Sequence, residues 1–260
     1  MTTLAGWLGP FSRDRLLFAG AMLLVVAGSW AYLLTGAGTL ADMGGMLMPM
    51  SSGPWTARHA AVMFAMWAVM MAAMMLPSAM PMILFFGRIA SERRARGGEA
   101  VASMFFTLGY VAIWLAFSAF AVLLQLALER AALLSPMMET TSVVFAGLIL
   151  AGAGAYQWTP FKQACLRRCR SPLEFVLTQW RQGRAGAFQM GARHGGYCLG
   201  CCWTLMLLLF VGGVMNLAWI TGIALFVLVE KLAPAGHWLG RGAGLVLVAW
   251  GLFTLRSAFS

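Results

Sequence analysis

Between His194 and Trp203 the chain reads His-Gly-Gly-Tyr-Cys-Leu-Gly-Cys-Cys-Trp, one imidazole and three thiols within nine residues. Two further cysteines, Cys165 and Cys169, stand four apart, so a helix carries them on one face. All five cysteines of the chain fall between Cys165 and Cys202. Cys165, Cys169, His194, Cys198, Cys201 and Cys202 therefore offer up to six soft ligands. Thiolate and imidazole are the donors that Cu(I) and Zn(II) prefer, and two ligand clusters of this kind are a common arrangement for a metal site. A buried cysteine also serves as a small apolar residue, but that use does not gather every cysteine into one stretch. An odd number in a basic segment argues against a secreted disulfide framework and for reduced thiols.

Methionine is the second enriched type. Of 20 Met, 12 lie between Met43 and Met82. Met63, Met66, Met70 and Met74 are spaced 3, 4 and 4, the spacing of one helix face, with Met71 and Met75 as a neighbouring pair. Thioethers select Cu(I) over hard cations; methionine also fills helix interfaces in membranes. Two features favour ligands here. The stripe begins four residues after His59, and it continues a preceding loop that holds Met43, Met46, Met48 and Met50. The expected metal is copper, with zinc as the alternative.

Other chemistry is missing from the sequence. There is no phosphate-binding glycine loop, no Walker-type segment, no phosphorylation motif of an ion pump and no Cys-x-x-Cys-His haem attachment pattern. No catalytic constellation stands out, and the reading leans away from an enzyme. Glu230 and Lys231 end an apolar run and are read as interfacial neighbours; His237 is read as solvated.

These residues need elements to hold them, and composition says which. The 260 residues are 61% hydrophobic and 10% charged, with mean hydropathy +0.81, where soluble domains carry about 25% charge. The expected fold is all-α, a polytopic transmembrane helical bundle of six or seven spans in a single membrane domain over residues 1–260. Apolar segments run from about Leu16 to Leu34, Ala57 to Phe86, Val101 to Leu126, Ser142 to Trp158 and Gly242 to Leu255. Pro77 and Pro81 should kink the second and free carbonyls. The run from Tyr197 to Val229 is too long for one ordinary span. It is read as two short helices with a turn near Gly213–Ala218, or as one long tilted or re-entrant helix. Residues 159–194 form a basic cytoplasmic or interfacial segment, with an interfacial helix around Phe161–Trp180.

The net charge of +10 follows the positive-inside rule rather than nucleic-acid binding. It puts the amino terminus, the Arg88–Arg96 loop and the Lys162–Arg193 segment on the cytoplasmic side, and the Met43–Met50 and Glu129–Glu139 loops outside. Expected partners are membrane lipids, other membrane subunits or a second copy of the chain, and a metal-delivery protein.

Three motifs carry a family resemblance. The first is Met66-Trp67 with Ala73-Met74-Met75-Leu76-Pro77. The second is Tyr156-Gln157-Trp158-Thr159-Pro160-Phe161-Lys162 with Cys165 and Cys169-Arg170-Ser171-Pro172. The third is His194–Trp203, continued by Gly213–Trp219 and Glu230-Lys231. Together they resemble a bacterial family of predicted metal-binding polytopic integral membrane proteins with a domain of unknown function. The resemblance implies a multi-pass protein of the bacterial inner membrane with a metal site, and it gives weight to Glu230-Lys231 and to the Tyr156–Thr159 corner. Three functions are open: soft-metal binding or transfer, an accessory subunit of a membrane complex with a structural Cys/His metal site, and thiol redox chemistry between Cys198 or Cys201 and Cys165 or Cys169.

Overall fold

A computed structural model describes residues 13–35, 40–42, 47–49, 55–97, 103–135 and 138–258. The described chain is helical apart from one antiparallel strand pair. Helix α1 is Arg13–Leu34. Strands β1 (Leu40–Asp42) and β2 (Leu47–Pro49) pair with Leu40 opposite Pro49 and Asp42 opposite Leu47. Met48 lies on β2, whereas Met43, Met46 and Met50 of the expected methionine loop lie outside the described residues.

Helix α2, Ala57–Ala95, opens on a Thr56 cap whose hydroxyl accepts the His59 N–H at 3.2 Å. It stays helical past Pro77 and Pro81 and ends nine residues beyond the Phe86 boundary expected from sequence. Each proline removes one donor, but the apolar surroundings leave the chain no cheaper path than to stay helical. The polar tail is held by Arg88–Glu92 at 2.9 Å and by the Arg93 guanidinium 4.2 Å from the Trp180 ring centre.

Helix α3 is Ser103–Arg130, α4 Val143–Tyr156, α5 Pro160–Arg170, α6 Pro172–Gln179, α7 Gly183–Leu207, α8 Leu209–Gly212, α9 Leu217–Leu232 and α10 Gly236–Ser257. The packed pairs are α3 on α7, α4 on α10, α2 on α1 and α3, and α5 on α7. Among the described residues, five helices are long and apolar enough to cross a membrane: Leu16–Leu34, α2, α3, the α7–α8 run to Gly212, and α10. The apolar helix α4 has 14 residues and α9 has 16, shorter than an untilted crossing needs.

The basic segment expected to run to His194, with a helix around Phe161–Trp180, is helical over that stretch as α5 and α6, and the long helix α7 starts inside it, at Gly183. The reason is steric. A Cβ at Gly191 would meet the Phe106 carbonyl oxygen at 1.8 Å, and one at Gly109 the Phe188 oxygen at 2.0 Å. Glycines here let two backbones touch, the small-residue packing of apolar helices. Beyond it, the long apolar run breaks as the two-helix reading expects. Gly213 turns at φ +89°, a left-handed conformation that favours glycine, and Asn216 caps α9 by accepting the Trp219 N–H at 3.2 Å. The single continuous helix is thereby excluded. The last helix starts at Gly236 rather than Gly242.

Candidate metal centre

His194, Cys198, Cys201 and Cys202 occupy positions i, i+4, i+7 and i+8 of α7, hence one face. All four are buried. From the other side comes α5, set by its cap: the Thr159 hydroxyl accepts the Lys162 N–H and donates to the Tyr156 carbonyl, and Pro160 fills the first helical position. This turn brings Cys165 against Gly200 of α7. A Cβ there would lie 2.8 Å from the Cys165 sulfur, so the missing side chain is what admits the thiol. Cys169, one turn on, is turned toward Cys198 and Cys201, and their nearness raises its thiol well above the ordinary range. Burial raises the Cys165 thiol, and the nearby Cys201 adds to it. The structure thus brings the α5 and α7 cysteines together, as the sequence spacing expects.

Cys198 is the hub. The Cys201 and Cys202 thiols donate to its carbonyl at 3.1 and 3.0 Å. Its own sulfur lies 2.9 Å from the Lys231 ammonium and 3.1 Å from the Tyr110 hydroxyl. Both partners also reach α2: Lys231 donates to the Ser78 hydroxyl at 3.1 Å, and Tyr110 to the Met75 carbonyl at 3.1 Å. The proline-bearing part of α2 is therefore one hydrogen-bonding group away from the thiols. His194 lies among the rings of Phe106, Tyr110 and Phe175, and its Nδ1 is buried with no hydrogen-bond partner. Among the described residues, no group of three or more His, Cys, Asp and Glu side chains stands ready as a ligand shell. The thiols contact one another, Tyr110 and Lys231.

The methionine stripe is internal. Met63, Met66, Met70 and Met74 are each at most 1% exposed, and Met71 and Met75 are buried beside them. At its far end the His59 Nε2 is buried and also has no partner, with the Trp55 ring edge-on at 4.8 Å. The Gln125 amide nitrogen lies 3.5 Å from both the Met63 and Met138 sulfurs and donates to Glu129 at 2.8 Å, while its oxygen accepts the Trp67 N–H at 2.9 Å.

Glu230 and Lys231 are not the interfacial neighbours expected from sequence. They are buried and diverge. Glu230 pairs with Lys162 at 2.7 Å, with Gln157 also accepting from the Lys162 ammonium, and Lys231 turns to Cys198. Burial of such charges is tolerated only with partners, and each has one, although the Glu230 Oε2 has none. His237, expected in solvent, is half-buried among arginines. Sequence reasoning missed Tyr110 and Lys231 as neighbours of Cys198, and Ser78 as a partner of Lys231. One signal was available: the chain has 16 Arg and only two Lys, and both lysines fall in motifs of the family resemblance.

No curated protein and no solved structure matches the chain. A family model, PpoB2, described as a copper chaperone, matches residues 64–254. That range takes in most of the methionine stripe, every cysteine and the Glu230-Lys231 pair, and so the chain belongs to the PpoB2 family of copper chaperones.

Proposed function

We propose that this copper chaperone is a multi-pass protein of the bacterial inner membrane that takes up Cu(I) along α2 and holds it at the α5–α7 thiols. The copper-related role comes with the family; the route and the ligands are the proposal. One observation carries it. Soft donors lie buried along α2, His59 with its unpartnered nitrogen and then Met63, Met66, Met70 and Met74, and Tyr110 and Lys231 link that helix to Cys198. Thioethers hold Cu(I) loosely and thiolates hold it tightly, so the ion runs down an affinity gradient and needs no nucleotide.

At the thiol end the protein's own groups prepare the ligands. The Lys231 ammonium stands against the Cys198 sulfur as a counter-charge, and the Tyr110 hydroxyl, whose proton goes to the Met75 carbonyl, packs beside it. Binding releases the thiol protons, as metal binding to cysteine must. His194 Nδ1 adds a neutral nitrogen on the same helix face. The membrane placement is supported by the five long apolar helices and by exposed side chains such as Leu24, Leu177 and Phe253, each over 70% accessible. The amino terminus and the α5–α7 side are assigned to the cytoplasm by their arginines. A delivery protein, a second copy or other membrane subunits would receive the ion.

The test is metal analysis of the full-length protein in mild detergent after anaerobic exposure to Cu(I). Retention of about one or more equivalents is expected, with Cys201→Ser abolishing it and Met70→Leu slowing loading only. Retention below about a tenth of an equivalent, or equal retention of zinc in its place, overturns the reading.

A further inference from the structure

Beside the thiol centre, α5 and α10 enclose a cavity of about 300 Å³ lined by Gln163, Leu166, Arg167, Arg170, His237 and Arg241. The α5 contributors stand at i, i+3, i+4 and i+7, one helix face, and His237 and Arg241 stand four apart on the facing helix. Three arginines and a histidine thus line one space, and no carboxylate residue does. The acids of neighbouring segments are engaged elsewhere: Glu230 pairs with Lys162, and Glu174 with Arg168 at 3.7 Å. Arg170 builds the wall. Its Nη2 donates to the Ala233 carbonyl and, at 2.8 Å, to that of Pro234, which ties the α9–α10 connection to α5. Arg241 is set over the Trp238 ring at 5.3 Å. Arg167 and Arg241 are otherwise exposed.

Like charges gathered on two helices repel unless an anion joins them. The size is at the lower end of small-ligand sites, room for a phosphate-bearing headgroup and not for a whole lipid. Guanidinium forks match phosphate oxygens in pairs, and the first turn of the 22-residue α10 adds its positive end. Trp238, which carries Arg241 over its ring, is exposed. Aromatic side chains beside arginines mark the level where headgroups sit.

We propose that this cavity binds a phosphate group, supplied by an anionic phospholipid whose acyl chains lie along the exposed face of α10. This source rests on the membrane placement proposed above; free phosphate is the other source of the same chemistry. Native mass spectrometry of the detergent-solubilised full chain, exposed to mixed micelles of phosphatidylglycerol or of phosphatidylcholine, reads the first arm. Thermal stability with and without inorganic phosphate reads the second.

The wild type should retain phosphatidylglycerol in preference to phosphatidylcholine, and Arg167→Gln/Arg241→Gln should lower that retention about tenfold. Arg94→Gln/Arg96→Gln at the end of α2 should not. Both changes are at exposed side chains, so an unchanged melting temperature in detergent checks the fold. Stabilisation by inorganic phosphate that the double variant loses, without lipid retention, assigns the cavity to the free anion. Equal retention of both lipids, or no difference between wild type and double variant in either arm, overturns the proposal. Copper loading of the double variant should stay at the wild-type level, so failure here leaves the copper reading standing.

Discussion

Lys231 is the residue that most changes the meaning of the cysteine cluster. An ammonium 2.9 Å from the Cys198 sulfur, buried with it, gives the thiolate a counter-charge before any ion arrives. Replacing it with the apolar Lys231→Met should weaken Cu(I) binding about tenfold, because the Cys198 thiolate then loses its counter-charge. Competition with a chromophoric Cu(I) chelator measures this, and an unchanged affinity would remove Lys231 from the site. The Lys162–Glu230 pair makes a separate expectation. Lys162→Met alone strands a buried carboxylate and should cost about 3–5 kcal/mol, whereas Lys162→Met with Glu230→Gln should recover most of it. Thermal unfolding in detergent distinguishes the two. At this scale the sequence displays ligand types and their local spacing, such as His194 four residues before Cys198. It does not display Lys231 or Tyr110 beside Cys198, because those contacts span 33 and 88 residues. Nothing in a helical period encodes which distant helix packs alongside.

Among the elements, α2 and α7 decide where the donors lie. The methionine period on α2 was legible, since a run spaced 3, 4, 4 has one helical interpretation, and its burial followed. The extent of both helices was not. The arginines from Arg88 on read as a loop, and the basic residues up to His194 as a separate segment, because charge marks the end of an apolar run and not the end of a helix. Here glycine is a packing surface. Gly191→Ala would drive a methyl into the Phe106 carbonyl and should destabilise the protein by about 1–3 kcal/mol. It should also lower copper retention, because α3 carries Tyr110 to Cys198. Gly222→Ala, on α9 with nothing within 4 Å of the added methyl, should be neutral or gain up to about 1 kcal/mol from helix propensity. Melting temperatures of the two variants side by side check the contrast; equal shifts would mean that the α3–α7 contact is not close.

For the molecule as a whole, a ligand held only by the folded state must stabilise it. Cu(I) at about a hundredfold excess over its dissociation constant should add about 2.7 kcal/mol, read as a rise in melting temperature that Cys201→Ser loses. Composition made the helical class plain at once, and charge asymmetry gave an orientation to propose. The number of crossing segments stayed open because α4 and α9 are short, and a hydropathy run does not say whether a short helix tilts, stops or is covered by neighbours. Burial of charge has a last consequence at this scale. The chain has two lysines, both inside, at 0% and 7% exposure. All of its surface cation is guanidinium, so amine-acylating reagents and amine-directed cross-linkers should find no ε-amino group on the folded protein. Reagent uptake at Lys162 and Lys231, followed by peptide mass spectrometry, then becomes a clock for opening of the interior, silent until α9 separates from α2 and α5.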